Sequence, residues 1–218
     1  MFKFIADNTN PKSLASKART KRFVFFLNEF NKLKKPVKIL DIGGTQQFWE
    51  SMHFINQTGI EIYLLNLENQ KTNYQNFISV KGDATNLKEF EDDYFDLVFS
   101  NSVIEHLFNW GNQIKMANEV QRVGRNYFIQ VPNYWFPIEP HFVFPFFQYL
   151  PKVLRVKLLT SFSLGHCKKI NDKIIAKDKV EEIKLLTIQQ MKVLFPGCKI
   201  YLDKFIGLNK SIVAYSID

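Results

Sequence analysis

Five apolar runs of strand character, each closing on small or polar residues and separated by segments of helical spacing, restrict this chain more than any other feature of its sequence. The runs are Val37 to Ile42, Ile60 to Leu65, Phe77 to Val80, Tyr94 to Ser100 and Arg125 to Val131. Strands that alternate with helices at this cadence pair in parallel, with the crossover helices on both faces of the sheet. The expected fold is therefore α/β, a mostly parallel sheet between two helical layers. Ligands of such sheets sit beyond the carboxyl ends of the strands, where the strand order reverses.

The residues at those ends are of the right chemistry. The first run ends Asp41-Ile42-Gly43-Gly44-Thr45. Glycine lacks a Cβ, so the turn can be tight and a ligand can approach the backbone. The first N–H groups of the following helix point into the same gap, and Asp41 can order the loop by accepting hydrogen bonds. The second run ends in Asn66-Leu67-Glu68, where Asn66 or Glu68 can bond the two hydroxyls of a ribose. The third runs into Gly82-Asp83-Ala84, placing Asp83 to accept from an exocyclic amine. The fourth continues into Asn101-Ser102-Val103-Ile104-Glu105-His106-Leu107. All four tips fall on one edge, and their joint placement says more than any one of them.

Around this frame, Pro11 to Lys34 reads as an amphipathic leading helix, with Phe23, Phe26, Leu27 and Phe30 at helical spacing. Helices are also expected over Phe48 to Gln57, Asn112 to Val123 and Thr187 to Leu194. Residues 133–162 break the cadence with an aromatic and Pro-rich stretch just past the fifth tip, where an insertion would cover the ligand edge. Leu150 to Leu159 is a basic amphipathic segment that packs on the core or lies on a membrane surface. Lys199 to Phe205 and Ser211 to Ile217 form a terminal antiparallel hairpin. One domain accounts for residues 1–218.

A hydrophobic share of 46% argues against intrinsic disorder. The excess of 29 Lys+Arg over 21 Asp+Glu suits an anionic partner or a membrane surface, or is a basic solvated face; no long basic run concentrates it. Cys167 and Cys198 form no CxxC, so neither a zinc site nor a disulfide framework is indicated, and a reducing cytoplasm fits. No apolar stretch is long enough to span a bilayer.

Taken together, Val37 to Thr45, Leu65 to Glu68, Gly82 to Thr85 and Phe95 to Leu107 resemble the class I S-adenosylmethionine-dependent methyltransferases, most closely the methyltransferase type 11 group. The resemblance implies a Rossmann-like, seven-stranded, mostly parallel sheet in a three-layer α-β-α arrangement, with a reversed terminal strand supplied by the hairpin. It implies S-adenosyl-L-methionine as cofactor, with Asp41, Gly43 and Gly44 at its methionine part, Asn66 or Glu68 at its ribose, Asp83 and Ala84 at its adenine, and Asn101 on the same rim. Thr45, Gln47 and Asn66 depart from the family's pattern of further glycines and an acid.

The chemistry asks mainly for alignment of acceptor, methyl and sulfur. A hydroxyl acceptor must also lose a proton, for which His106 and His141, the latter beside Glu139, are the candidate bases. Each also has a structural reading, as a helix-capping or a loop histidine. The leading expectation is methyl transfer to a small-molecule or saccharide acceptor at oxygen. The aromatic insertion resembles those of methyltransferases in polysaccharide biosynthesis. Alternatives are a non-catalytic binding subunit, peripheral to a membrane, and an RNA methyltransferase. The second lacks an Asn-Pro-Pro-Tyr type tetrapeptide and a basic stripe.

Overall fold

The computed structural model describes residues 14–217. Seven of its strands form one sheet, in the order β3-β2-β1-β4-β5-β9-β8. β1 (Val37–Ile42), β2 (Ile60–Asn66), β3 (Phe77–Lys81), β4 (Leu97–Asn101) and β5 (Tyr127–Pro132) are mutually parallel. β9 (Leu208–Tyr215) runs antiparallel to β5, and β8 (Lys199–Phe205) closes the edge beside it. The order reverses between β1 and β4, which puts the switch point at the Gly43–Gly44 turn. The expected seven-stranded fold class, reversed strand included, is the one observed.

Two apolar cores flank the sheet because its central strands are buried on both faces. One holds Leu40, Val98, Ile129 and Met116; the other holds Ile39, Ile62, Phe99 and Phe128. The helix α1 (Leu14–Phe30) covers the second core through Phe23, Phe26 and Phe30, all buried. The start of the expected leading helix, Pro11 to Ser13, lies outside the described residues. Phe25 stacks on Tyr201 of β8 with ring centroids 3.9 Å apart, tying α1 to the hairpin edge.

Several boundaries differ from the sequence reading. The helix after the glycine turn is α2 (Gln46–Ser51), not Phe48 to Gln57. Thr45 caps its start, and left-handed His53 (φ 55°) and Asn56 (φ 52°) prevent its continuation. The next helix, α3 (Trp110–Val123), begins two residues early because Asn109 accepts from the N–H of Asn112. β9 starts at Leu208 rather than Ser211, so the hairpin turns on Ile206 and Gly207, both at positive φ.

Residues 133–162, expected as an insertion, carry regular structure of their own. A two-stranded ribbon of β6 (Ile138–Glu139) and β7 (Phe144–Pro145) leads into α4 (Lys152–Ser161). α4 packs through Leu159 against α5 (Lys173–Glu182), which contributes Ala176 and Val180 to a third apolar cluster. α5 was not expected as a separate helix. Its Ile174 and Ile175 are exposed, which masks the apolar periodicity, while Asp172 caps its first turn. α6 (Ile188–Leu194) follows a Thr187–Gln190 capping box. Among the described residues no helix is long and apolar enough to cross a membrane.

Candidate active site

The carboxyl ends of β1, β2, β3 and β4 share one edge, so the polar tips form a continuous rim. Gly43 takes φ 70°, its N–H bonds to the Leu65 carbonyl at 2.8 Å, and its backbone is exposed. A side chain there would be strained and would run into Val103. Gly44 is required for a different reason: a Cβ on it would overlap the Asp41 carboxylate.

Asp41 lies beneath this turn, 1% exposed, and accepts a 2.7 Å bond from the indole N–H of Trp49. Burial pushes its carboxyl up to about 8, against the opposing effect of the Trp49 bond. It therefore braces the turn from inside instead of facing the gap. Asn66 donates to the Gly44 carbonyl at 2.9 Å and holds the turn from the β2 side. Thr45, where the family pattern has glycine, is the N-cap of α2, and Gln47 is exposed.

The outer rim is more open. Glu68 is 84% exposed and pairs with Lys81 at 3.1 Å. Asp83 forms a local turn, accepting from the N–H and hydroxyl of Thr85 at 2.8 and 2.9 Å, beside the buried Ala84. Asn101 accepts from Arg22 of α1 at 3.4 Å. The rim thus offers carboxylate and amide groups beside the exposed Gly43 backbone.

Beside the tips of β4 and β5, roofed by the insertion, lies a cavity of about 850 Å³. Five Lys and Arg side chains line it (Arg19, Arg22, Lys168, Lys179 and Lys210), and among the described residues no carboxylate does. Phe136, Phe142 and Phe205 give it aromatic walls. Behind the wall, Arg22 bonds the buried Asp203 at 3.1 Å and Ser211 at 3.3 Å. Burial and the charge of Arg22 hold the Lys210 ammonium below its ordinary value. Of the five cations Arg22 is paired with Asp203 and Lys179 with Glu182, so the lining keeps net positive charge for a ligand.

The two histidines proposed separately from sequence stand together on this cavity, rings perpendicular with centroids 4.8 Å apart. His106 follows β4 in a single 3-10 turn (Ile104–His106), and its Nδ1 meets Glu182 of α5 at 3.0 Å. His141 sits between β6 and β7, and its Nδ1 meets Glu139 at 2.6 Å. Glu139 is itself fixed by the N–H of Phe142 at 2.7 Å. Burial, then the charge of His141, lowers the His106 pKa. For His141 burial also acts downward, but the Glu139 carboxylate outweighs it and leaves the ring above its ordinary value.

Sequence reasoning assigned no role to Glu105, Glu182, Trp49, Arg19, Arg22 or Lys210. Glu105 is wholly buried next to the histidines, and neither of its carboxylate oxygens has a hydrogen-bond partner. Burial pushes its carboxyl up to about 7, with the positive charge of His141 opposing. The available signal was an acid directly preceding a candidate histidine at a strand tip. His53 lies in the loop after α2, and His166 lines the cavity beside Cys167.

Residues 40–127 match the family model described as a methyltransferase domain. Two strain versions of an uncharacterized protein of Mycobacterium tuberculosis are each 42% identical over 53 residues, 24% of this chain. The match spans only 18% of the length of those curated relatives. Among solved structures, a SAM-dependent methyltransferase from Aquifex aeolicus aligns with TM-score 0.51 at 13% identity, over 88% of this chain and 87% of its own. The CurJ carbon methyltransferase aligns with TM-score 0.57 at 11% identity, over 94% of this chain and 55% of its own. The architecture is thus the class I S-adenosylmethionine-dependent methyltransferase fold. The domain match and this fold together support S-adenosylmethionine as the cofactor.

Proposed function

We propose that this chain, with a methyltransferase domain match at residues 40–127 and a class I sheet, transfers the methyl of S-adenosylmethionine to a hydroxyl of an anionic small-molecule or saccharide acceptor. The observation that carries the reading is the cavity beside the rim, with five cationic side chains, aromatic walls and no acid among its lining residues. Cations and aromatic faces suit a sugar or ring compound bearing a phosphate or carboxylate. Two half-buried, unpaired cysteines are in keeping with a reducing cytoplasm.

In this reading Gly43 and Gly44 present backbone to the amino-acid tail of the cofactor, with Asp41 and Asn66 holding the turn in shape. Glu68, and the amide oxygen of Asn66, serve the ribose; Asp83 and Ala84 border the adenine; Asn101 separates cofactor from acceptor. The bound sulfonium supplies an activated methyl group. The chain supplies position, a site closed by the insertion, and the removal of the acceptor proton at the His106, His141 and Glu139 cluster.

The test is incubation of the purified chain with methyl-labelled S-adenosylmethionine and pairs of acceptors, phosphorylated or carboxylated sugars and phenols against their neutral parents. Label is expected on the anionic members, as a base-stable ether. Transfer only to the neutral members contradicts the acceptor class. Binding of S-adenosylhomocysteine with no transfer to any acceptor favours a non-catalytic binding subunit.

A further inference from the structure

We propose that Glu105, His106 and His141 hold a divalent transition-metal ion of the zinc type at the wall of the acceptor cavity. One potential ligand atom from each residue lies within 4.8 Å of the other two. Ligand atoms around a tetrahedral zinc ion stand about 3.3 Å apart, given bonds of about 2.0–2.1 Å. Side-chain adjustment of about an ångström and a half therefore closes the site.

Three features favour an ion over a chance cluster. Each histidine has its Nδ1 taken by a carboxylate, Glu182 at 3.0 Å for His106 and Glu139 at 2.6 Å for His141. That is the outer-shell arrangement that fixes a metal-ligating imidazole and leaves its other nitrogen free. Glu105 is fully buried with both carboxylate oxygens unpartnered. A buried acid without a partner is costly, and a cation beside it removes the cost. Finally, Glu105, Glu139 and Glu182 bring three carboxylates to two imidazoles, with Lys179 pairing Glu182 at 2.7 Å. With the imidazoles neutral, two negative charges are left, and a divalent ion balances both.

Two nitrogens and one oxygen suit zinc and its neighbours in the first transition row; magnesium and calcium prefer all-oxygen shells. Three protein ligands leave coordination positions open on the cavity side, where an acceptor oxygen can bind. The role of the ion rests on the methyltransferase reading, but its binding does not. In that role the ion replaces direct proton removal by the two histidines, which are then ligands: the metal-bound hydroxyl gives its proton to water. The resulting alkoxide attacks the methyl carbon of the sulfonium donor, and the carbon–sulfur bond breaks to leave a neutral thioether.

The experiment is titration of the chelator-stripped full chain, without cofactor, with Zn2+ against a chromophoric chelator, and with Co2+ followed by visible absorption. One equivalent bound at submicromolar affinity is expected, with a cobalt spectrum free of thiolate charge-transfer bands. Glu105→Gln and His141→Ala should each weaken binding about 100-fold or more, while His166→Ala and Cys167→Ser leave it unchanged. Absence of binding up to millimolar metal overturns the inference, as does binding lost in Cys167→Ser or His166→Ala but kept in Glu105→Gln. Should the Glu105 variant fail to fold, the wild-type cobalt spectrum decides: thiolate bands overturn the site, and their absence with one equivalent bound supports it. S-adenosylhomocysteine affinity is measured in parallel. Its loss with metal binding intact faults the methyltransferase reading, and the reverse faults only the ion.

Discussion

Gly44→Ala is expected to destabilise the chain by about 3 kcal/mol or more and to abolish S-adenosylhomocysteine binding. The added methyl falls on the Asp41 carboxylate. Asp41 cannot withdraw, because it is 1% exposed and its Oδ2 is held at 2.7 Å by Trp49, whose ring is wholly buried. The β1 tip must shift or the Trp49 bond must break. Overpacking costs about 1–3 kcal/mol, and leaving a buried polar group without its hydrogen bond costs about 1–3 kcal/mol. The shift also carries away the Gly44 carbonyl that Asn66 holds, so the turn loses its shape on the side offered to the ligand. Gly111→Ala is the control, since that glycine lies in α3 and an added Cβ meets only Asn109 Oδ1, at 3.2 Å. Urea unfolding reads both. A change below about 0.5 kcal/mol for Gly44→Ala, inside the range of ordinary surface substitutions, would contradict the bracing of the turn by Asp41.

Arg22→Leu is expected to cost about 3–5 kcal/mol, the range for removing one partner of a buried ion pair. Asp203 is 1% exposed, and its Oδ2 receives Arg22 at 3.1 Å and Ser211 at 3.4 Å, while its Oδ1 has no partner. Without the guanidinium a carboxylate stays buried with one hydroxyl for company. The double variant Arg22→Leu with Asp203→Leu should recover most of the loss, because the penalty lies in the orphaned charge and not in the missing attraction. Equal instability of the double and single variants would show instead that Arg22 works mainly through packing of α1 against the hairpin.

What the sequence disclosed divides along physical lines. The parallel strands were legible because burial on both faces makes each a nearly continuous apolar run, as in Val37–Ile42, with every residue buried or half-buried. The glycine turn was legible because only glycine tolerates the φ of Gly43 and the carboxylate under Gly44. α5 was hidden because Ile174 and Ile175 point outward. The extent of α2 was misread because left-handed residues at 53 and 56, neither of them glycine, stop the chain from continuing it.

The candidate site was legible by residue type but not by neighbourhood. Asp41, Asn66, Asp83 and Asn101 could be placed on one edge from topology alone. That Asp41 and Asn66 act on the turn itself depends on contacts with Trp49 and Gly44 across the fold. His106 and His141 are distant in sequence and meet because the β6–β7 ribbon folds the insertion back over the β4 tip. The same folding brings Glu182 from α5 and makes Glu105 a buried acid. Arg22 had no role assigned from sequence, since nothing local marks its pairing with Asp203 on β8.

The most direct measurement is a crystal structure of the chain grown with S-adenosylhomocysteine at millimolar concentration. The expected density has the homocysteine over Gly43 and Gly44, the ribose against Asn66 or Glu68, and the adenine beside Asp83 and Ala84, with its sulfur facing the cavity of His106 and His141. A rim that stays empty, or a ligand found at the amino ends of the strands, would contradict the account.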